Sequence, residues 1–349
     1  AGQAPVLTTV VKPRDAVQWA LFYLPVLSPR PGQLSQGQEW QASVDQSTEA
    51  WAQGDLGAAL EALDGISDQA IRDARLFAFR ASLLLAAGEV EGATKDLERA
   101  LLLSPDDSDA LALKSIIAVA NNDLKAASGA ARRAVSLDPD SATARIAESY
   151  ARQARFDLEG ARESLEKAVQ LDPDDALAWA RLAEVRSSLG QGGEALAAAE
   201  KAVALQPNLS RTQTVLGFAY LTRVQTRQAQ EAFENAIELD GDDPLPRLGQ
   251  GLARIREGDL DGGLEDLEVA VSLDPGEALV RSYLGKGYFE AKRTGLDERE
   301  YGVAQQADPN DPTPWFYQAI TQQTTNRPVE ALDSIQEAIE RNDNRWVYR

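Results

Sequence analysis

A short proline-containing motif recurs along this chain, and successive copies are separated by 34 residues. The copy at Leu171–Asp175 reads LDPDD. The marker residues of the series are Pro105, Pro139, Pro173, Pro207, Pro275 and Pro309, with Gly241 at the one position that lacks a proline. Five residues before each marker stands an alanine: Ala100, Ala134, Ala168, Ala202, Ala236, Ala270 and Ala304. Because self-similarity at a fixed period is the signature of repeat architectures, the chain is predicted to be an array of structural repeats.

The residues between two markers predict one helix, a short turn and a second helix. Small residues at regular positions would let the two helices approach closely, and larger residues would fill the space between them. The larger residues are Leu97, Leu165, Phe233, Leu267, Tyr301 and Ile335. Gly88, Gly190 and Gly258 are predicted to break the chain between the two helices.

The acidic residues of the motif are interpreted as helix caps rather than as a catalytic or metal-binding cluster. Proline ends the second helix, because it has no N–H and disfavours helix in the residue before it. An aspartate beside the proline can begin the next helix by accepting backbone N–H bonds. Carboxylates that recur with the fold period favour this capping role, so they predict neither a catalytic site nor a metal site.

A helix–turn–helix unit of 34 residues resembles the tetratricopeptide repeat. The clear units begin at Ala74, Ser108, Ala142, Ala176, Ser210, Pro244, Ala278 and Pro312, and a degenerate unit precedes them at Trp40–Asp73. The aromatic residues that the family prefers are kept at Trp179, Trp315, Tyr220 and Tyr288. The resemblance implies an all-α fold, a right-handed α-solenoid of about nine repeats over residues 40–349. It also implies that the first helices line a concave surface where peptides or partner helices bind.

The composition narrows the possible functions. The formal net charge is −20, and a field of that sign repels phosphate groups, so nucleic acid is not an expected partner. The chain has no Cys, Met or His, which excludes a thiol nucleophile, a Ser–His pair and the usual zinc sites. We therefore expect no enzymatic activity and no cofactor. No apolar run reaches the length of a membrane-spanning helix.

The candidate partner-binding site is one face of the first helices. It is formed by positions 2, 5, 9 and 12, counted from the first residue of each unit, which helical spacing places on one side. In the C-terminal half this face is apolar, and its candidate residues are Phe218, Leu221, Leu245, Leu248, Leu252, Ile255, Phe289, Phe316 and Ile320. Apolar surface gathered in a concavity usually marks a binding site. The alternative is that these helices are rotated and the stripe is core. Arg247, Gln250 and Arg254, which occupy the usual packing positions of one unit, support that alternative.

Residues 1–39 lie outside the repeats and are predicted to form an N-terminal arm. The β-branched stretch Pro5–Val11 predicts a short strand. The stretch Lys12–Leu27, KPRDAVQWALFYLPVL, predicts a helix with Trp19, Phe22 and Tyr23 as apolar anchors. This helix either caps the first repeat or docks on another molecule, by strand pairing or by insertion of the helix into a groove.

Two functions are compatible with these patterns. The leading hypothesis is a non-enzymatic scaffold that binds a peptide or partner helix in an apolar concave groove. The alternative is a structural subunit that self-assembles head-to-tail into a fibre through its N-terminal arm and an uncapped C-terminal end. The segments Lys12–Leu27 and Asp311–Arg349 also resemble parts of large bacterial exported tetratricopeptide proteins with a FecR-like region before the repeats. That resemblance implies a periplasmic or extracellular location.

Overall fold

The computed structural model of the protein describes residues 40–341, apart from residues 53–55, 67–72, 88, 122 and 294. Within these ranges the chain forms 18 α-helices and no β-strand. The helices are α1 (Gln41–Ala52), α2 (Leu56–Asp64), α3 (Ala74–Ala86), α4 (Val90–Leu103), α5 (Ser108–Ala120), α6 (Leu124–Leu137), α7 (Ala142–Gln153), α8 (Leu158–Leu171), α9 (Ala176–Ser188), α10 (Gly192–Leu205), α11 (Ser210–Thr222), α12 (Thr226–Leu239), α13 (Pro244–Glu257), α14 (Leu260–Leu273), α15 (Ala278–Glu290), α16 (Leu296–Ala307), α17 (Thr313–Thr324) and α18 (Pro328–Arg341).

Each repeat consists of an odd-numbered helix packed against the even-numbered helix that follows it, as α3 packs against α4 and α13 against α14. The predicted starts of the first helices are confirmed at Ala74, Ser108, Ala142, Ala176, Ser210, Pro244 and Ala278. The last first helix begins at Thr313, one residue later than predicted, because Pro312 occupies its N-cap position. The helical repeat fold expected from the 34-residue period is therefore confirmed.

The acidic residues of the recurring motif bind backbone donors at the ends of helices. Asp175 Oδ1 accepts a hydrogen bond from the Ala178 N–H at 3.0 Å, at the start of α9. Asp172 Oδ1 accepts one from the Asp174 N–H at 3.2 Å, within the turn that precedes it. Asp107 accepts the same bond from the N–H three residues after it, and Asp243 and Glu277 each accept one from the N–H two residues after them. The capping interpretation is thus confirmed, since these oxygens satisfy N–H groups that lack a partner within the helix.

The described turns between the two helices of a repeat, from α7 onward, each place at least one residue in the left-handed region. Glycine occupies this position at Gly190, with φ of 76°, and at Gly258, with φ of 96°, as predicted. Other repeats place a side chain there, at Phe156, Val224, Lys292 and Asn326, with φ between 55° and 61°. A residue with a Cβ loses roughly 1–2 kcal/mol in this conformation. The packing of the two flanking helices must therefore override the local preference at Val224. Gly88, the third predicted glycine, lies outside the described residues.

Paired helices approach closely because a small residue on the first helix faces a larger one on the second. Phe233 on α12 and Tyr301 on α16 are almost completely buried. A Cβ added to Gly217 on α11 would lie 2.5 Å from Phe233 Cε1, and one added to Gly285 on α15 would lie 2.5 Å from Tyr301 Cε1. The predicted space-filling role of these large residues is confirmed. Both rings occupy space that any other residue at the facing glycine would take.

The described chain divides into two compact units. The N-terminal unit contains α1 to α10 and ends at Pro207, and the C-terminal unit contains α11 to α18 and begins at Asn208. Within each unit the second helix of one repeat packs against the first helix of the next, as α6 does against α7 and α14 against α15. None of the described helices is both long and apolar enough to cross a membrane. The predicted arm of residues 1–39, with its strand and helix, lies outside the described residues.

Candidate functional site

The first helices of the C-terminal unit contact one another in series, α11 with α13, α13 with α15 and α15 with α17. Positions 9 and 12 of these helices carry five large apolar side chains that keep part of their surface exposed. They are Phe218, Leu252, Ile255, Phe289 and Ile320, which we call the apolar row. Ile320 is the most open of them, with 37% of its surface exposed. Five of the nine residues predicted for the partner-binding face therefore share one side of four neighbouring helices.

The core beneath the apolar row holds three of its members in place. Phe218, Leu252 and Ile255 pack, together with Leu245, against a single buried cluster. That cluster consists of Leu248, Leu264, Leu267, Ala270, Val280 and Leu284. The ring of Phe218 also meets the ring of Phe233 edge-to-face, with 5.0 Å between centroids and 73° between planes. A surface whose side chains are fixed from below is suited to binding without rearrangement.

Two of the predicted site residues belong to the core instead. Leu248 is 2% exposed and packs against Leu264 and Val280, so position 5 of α13 faces α14 and α15. Leu221 is 9% exposed and packs against Phe233 on α12. For these two positions the core interpretation holds, because a second and a third helix cover them. They support the apolar row from beneath and are not available to a partner.

The remaining predicted residues lie at the far end of the unit, on α17. Phe316 is half-buried beside Tyr317, with 5.5 Å between ring centroids. Tyr317 in turn meets Tyr283 of α15 edge-to-face at 5.6 Å. Phe316 therefore belongs to an aromatic group between α15 and α17, whereas Ile320, one turn later, is in the apolar row. Leu245 is half-buried at the start of α13, against the same cluster as Leu252.

Arg247, Gln250 and Arg254, the polar residues of α13 that favoured the rotated alternative, each contact a polar side chain on a neighbouring helix. Arg247 Nη1 lies 3.2 Å from Asp266 Oδ1, and Arg254 Nη1 lies 2.9 Å from Asp266 Oδ2. Gln250 Nε2 donates to Glu234 Oε1 at 3.3 Å. Burial raises the pKa of Asp266, because desolvation outweighs the attraction of Arg254 and Arg247. The sequence did not predict that Asp266 pairs with these arginines. The pattern that could have indicated it is an aspartate on the second helix, 19 residues after an arginine on the first.

The N-terminal unit carries a more polar version of the same face. Position 9 holds Ser82, Ile116, Tyr150 and Glu184 in its clear repeats, and Ile116 and Tyr150 are buried.

On α7 the buried Glu148 carboxylate lies 3.3 Å from Arg145 Nη1 and 2.9 Å from Arg152 Nη2, and it accepts a hydrogen bond from Ser164 Oγ at 2.9 Å. Desolvation opposes ionisation of Glu148, but the hydrogen bonds from Arg152 and Ser164 outweigh it and lower its pKa. This carboxylate therefore holds two helices together as an ion.

Glu277, which caps α15, has the opposite electrostatic situation. Its carboxylate accepts a hydrogen bond from the Leu279 N–H at 3.1 Å. Burial raises the pKa of Glu277 to about 7, and the neighbouring Asp274, Asp311 and Asp308 add to the effect. In the unfolded chain the same carboxyl titrates at its ordinary value, so between these two values the folded state holds a proton that the unfolded state has released.

We expect Glu277→Gln to reduce the pH dependence of stability. Because the folded pKa is raised, the free energy of unfolding of the wild type falls as pH rises from about 4.5 to about 7. The glutamine variant keeps the capping acceptor but cannot ionise, so it should lose about 1 kcal/mol less than the wild type between pH 5 and pH 8. Urea unfolding at both pH values measures this. Ser141→Ala, which removes an uncharged cap from α7, should cost the same at both. An identical pH profile for Glu277→Gln and the wild type would contradict the assignment.

Trp19, Phe22 and Tyr23, the predicted anchors of the N-terminal arm, lie outside the described residues. Their docking therefore stays a prediction from the sequence.

Comparison with protein families gives two matches with the same description. One tetratricopeptide-repeat family model matches residues 152–217, and another matches residues 80–142 and 216–278. Together the matches cover just over half of the chain. Among curated proteins, no sequence gives a significant match.

Several solved structures have a similar fold. In the APC/C hetero-tetramer Cut9–Hcn1, the similar chain gives a TM-score of 0.67 at 16% identity, over 95% of this chain and 67% of that one. A tetratricopeptide repeat protein from Parabacteroides merdae gives 0.53 at 15% identity, over 69% and 95% of the two chains. The human IFIT1 dimer with PPP-AAAA gives 0.58 at 15% identity, over 85% and 82%. At these identities the likeness concerns the fold alone.

The family matches, the helix pairs and the 34-residue period agree. Proteins built from such repeats are generally non-catalytic scaffolds for protein–protein interaction. This chain belongs to the tetratricopeptide-repeat family.

Proposed function

We propose that the C-terminal unit binds a peptide segment of a partner protein along the apolar row. The observation that carries the proposal is the placement of five partly exposed apolar side chains on four first helices that contact one another in series. Three of these side chains are fixed by one buried cluster, so the surface is preformed. Covering them with an apolar segment contributes roughly 25 cal/mol per Å² of apolar surface removed from water.

The charges around the row indicate what kind of peptide fits. Position 9 of α15 is Lys286 rather than an apolar residue, and its ammonium is paired with Glu290. The chain as a whole carries a net charge of −20, which disfavours an acidic partner and favours a neutral or basic one. We therefore infer an amphipathic peptide, apolar on the side that meets the row and not acidic on the other.

Peptide selection followed by substitution tests this site. Random peptides displayed on phage are selected on the full chain, and the affinity of the best peptide is measured by isothermal titration calorimetry. Leu252→Asp places a charge in the centre of the contact and is expected to abolish binding. Phe289→Ala removes one anchor and should weaken binding about tenfold, as for a typical central interface residue.

The matched control is Leu332→Asp, which introduces the same charge at an exposed leucine of α18. This variant should bind the peptide as the wild type does. Selected peptides whose affinity is unchanged in both Leu252→Asp and Phe289→Ala, with circular dichroism showing folded protein, would refute the site.

A second candidate function is head-to-tail self-association. It is favoured by the two apolar side chains Val329 and Leu332 on α18, which are 71% and 68% exposed. Contacts between unlike surfaces of identical chains propagate into filaments unless the rotation closes them. Sedimentation velocity separates the two candidates, since only the second requires the mass to grow with protein concentration. An exported location is proposed on the resemblance of the end segments alone.

A further inference from the structure

A cavity of about 470 Å³ opens between α4 and α5, in the N-terminal unit. Its walls are mostly apolar and include Leu97, Leu101, Leu102 and Ile117. Leu102 is 84% exposed, the largest value for any large apolar side chain in the described part of the chain. Glu98, Lys114 and Asp123 also line the cavity, so it combines apolar walls with three charged groups.

The cavity lies where one side chain is missing from the repeat pattern. Position 11 of the first helix is Ala118 in α5, but it is Arg186 in α9 and Tyr288 in α15. Both of the longer residues reach a carboxylate on the preceding second helix, 20 residues earlier. Arg186 Nη2 donates to Glu166 Oε1 at 3.1 Å, and the Tyr288 hydroxyl donates to Glu268 Oε1 at 3.0 Å. Alanine is too short to fill this space or to reach across it.

The acceptor of this missing contact is present. Glu98 stands 20 residues before Ala118, in the register of Glu166 and Glu268, and it is exposed at the cavity. Among the described residues, no salt bridge engages its carboxylate. The cavity therefore has the carboxylate and the apolar walls, but not the long position-11 side chain that contacts the carboxylate in the repeats of Arg186 and Tyr288.

The apolar rim is also specific to this repeat. Leu102 occupies a position that is polar or alanine in the other clear repeats. The corresponding residues are Ser136, Gln170, Ala204, Glu238, Ser272, Gln306 and Glu340. Ala118, which leaves the cavity open, and Leu102, which makes its rim apolar, thus occur in neighbouring repeats, on the facing helices α5 and α4.

We propose that this cavity accepts a tyrosine side chain presented by a partner protein. The ring would lie against Leu101, Leu102 and Ile117, and the hydroxyl would donate to the Glu98 carboxylate. Tyrosine fits better than arginine because the walls are mostly apolar, and burying a charged guanidinium against them costs more free energy than burying a phenol ring. The bound ring would reproduce the internal contact of Tyr288 with Glu268, where the Arg293 guanidinium lies 5.7 Å from the ring centroid. The site is separate from the apolar row and does not depend on it.

The probe for this site is p-cresol, which is the tyrosine side chain as a free molecule. In an NMR titration of the full chain we expect saturable binding of p-cresol, and weaker binding of toluene and of n-propylguanidinium. Glu98→Ala removes the charged acceptor and should weaken p-cresol about tenfold. Leu102→Gln, which restores a polar residue found in other repeats, should weaken it about threefold, because apolar contact area is lost. Ala118→Tyr fills the cavity from within and should abolish binding.

Circular dichroism confirms that each variant is folded, and the exposed position of Leu102 keeps the test valid if Ala118→Tyr does not fold. Equal affinity of p-cresol for the wild type and Leu102→Gln, or tighter binding of n-propylguanidinium than of p-cresol, would overturn the proposal. Random peptides selected on the wild type and depleted on folded Ala118→Tyr should be enriched in tyrosine. A selected pool without that enrichment would also overturn it, whatever peptides the apolar row binds.

Discussion

Replacing Phe233 by alanine is expected to lower the free energy of unfolding by about 4 kcal/mol. The side chain is fully buried between α11 and α13, where Gly217 and Gly249 leave room for its ring. Its removal leaves a cavity that helix backbones cannot close without moving. Denaturant unfolding followed by circular dichroism measures the loss. Phe218 rests edge-to-face on this ring, so peptide binding by the apolar row should weaken in the same variant.

The reverse change tests the same fit. Gly217→Ala would place a Cβ 2.5 Å from the Phe233 ring and should cost about 2 kcal/mol through overpacking. Adding Phe233→Leu to Gly217→Ala should recover part of that loss, since the smaller side chain relieves the clash. Phe156→Ala is the matched control, because Phe156 is 37% exposed and its removal should cost clearly less stability than that of Phe233, about 1 kcal/mol. A loss below about 1 kcal/mol in Phe233→Ala would contradict this account of the packing.

Asp96→Ala is expected to lower the free energy of unfolding by about 3 kcal/mol, because it removes the carboxylate that two nitrogens of a partly buried guanidinium contact. Arg80 Nε lies 2.6 Å from Asp96 Oδ2, and Arg80 Nη2 donates to Asp96 Oδ1 at 2.8 Å. The Asp96 side chain is 4% exposed and that of Arg80 is 16% exposed, so water replaces little of the lost contact. The pair joins the first helix of its repeat to the second, and thermal or urea unfolding measures its removal.

A surface pair on the same helix provides the control for this prediction. Lys95 Nζ lies 2.6 Å from Glu91 Oε1, but both side chains are largely exposed. Glu91→Ala should therefore leave stability unchanged within the error of the measurement. Asp96→Asn, which keeps the size but not the charge, should fall between Asp96→Ala and the wild type. If Asp96→Ala and Glu91→Ala had the same free energy of unfolding, burial would not explain the contribution of the Arg80–Asp96 pair to stability.

The repeat pattern predicted nearly every first-helix boundary but only part of the candidate site. Boundaries depend on neighbouring residues, such as Asp175, whose carboxylate caps α9 within three residues of its own position. The site depends on what covers each side chain. Leu248 and Leu252 are four residues apart on α13, and both were predicted to face a partner. Leu248 is covered by α14 and α15, whereas Leu252 keeps an open side.

The missed polar contacts have the same origin. From the sequence, Arg254 is a poor residue for a packing position. The structure shows that its guanidinium is paired there, since Arg254 Nη1 lies 2.9 Å from Asp266 Oδ2 on the facing helix. Pairing across two helices leaves a weak trace in one sequence, because either residue alone is ordinary on a surface. The cavity beside Ala118 is similar, since an alanine in a helix gives no signal unless the same position in other repeats is compared.

By itself, the amino-acid sequence determined that the chain is a series of helix pairs, and where each first helix begins. These features follow from short-range chemistry: proline ends a helix, an acid caps the next, and small residues recur every 34 positions. Only the tertiary structure decided which apolar residues are core, which turn residues such as Val224 accept a left-handed backbone, and where a side chain is missing between α4 and α5. Those outcomes depend on several helices meeting at one point, and burial is a property of that meeting rather than of any one residue.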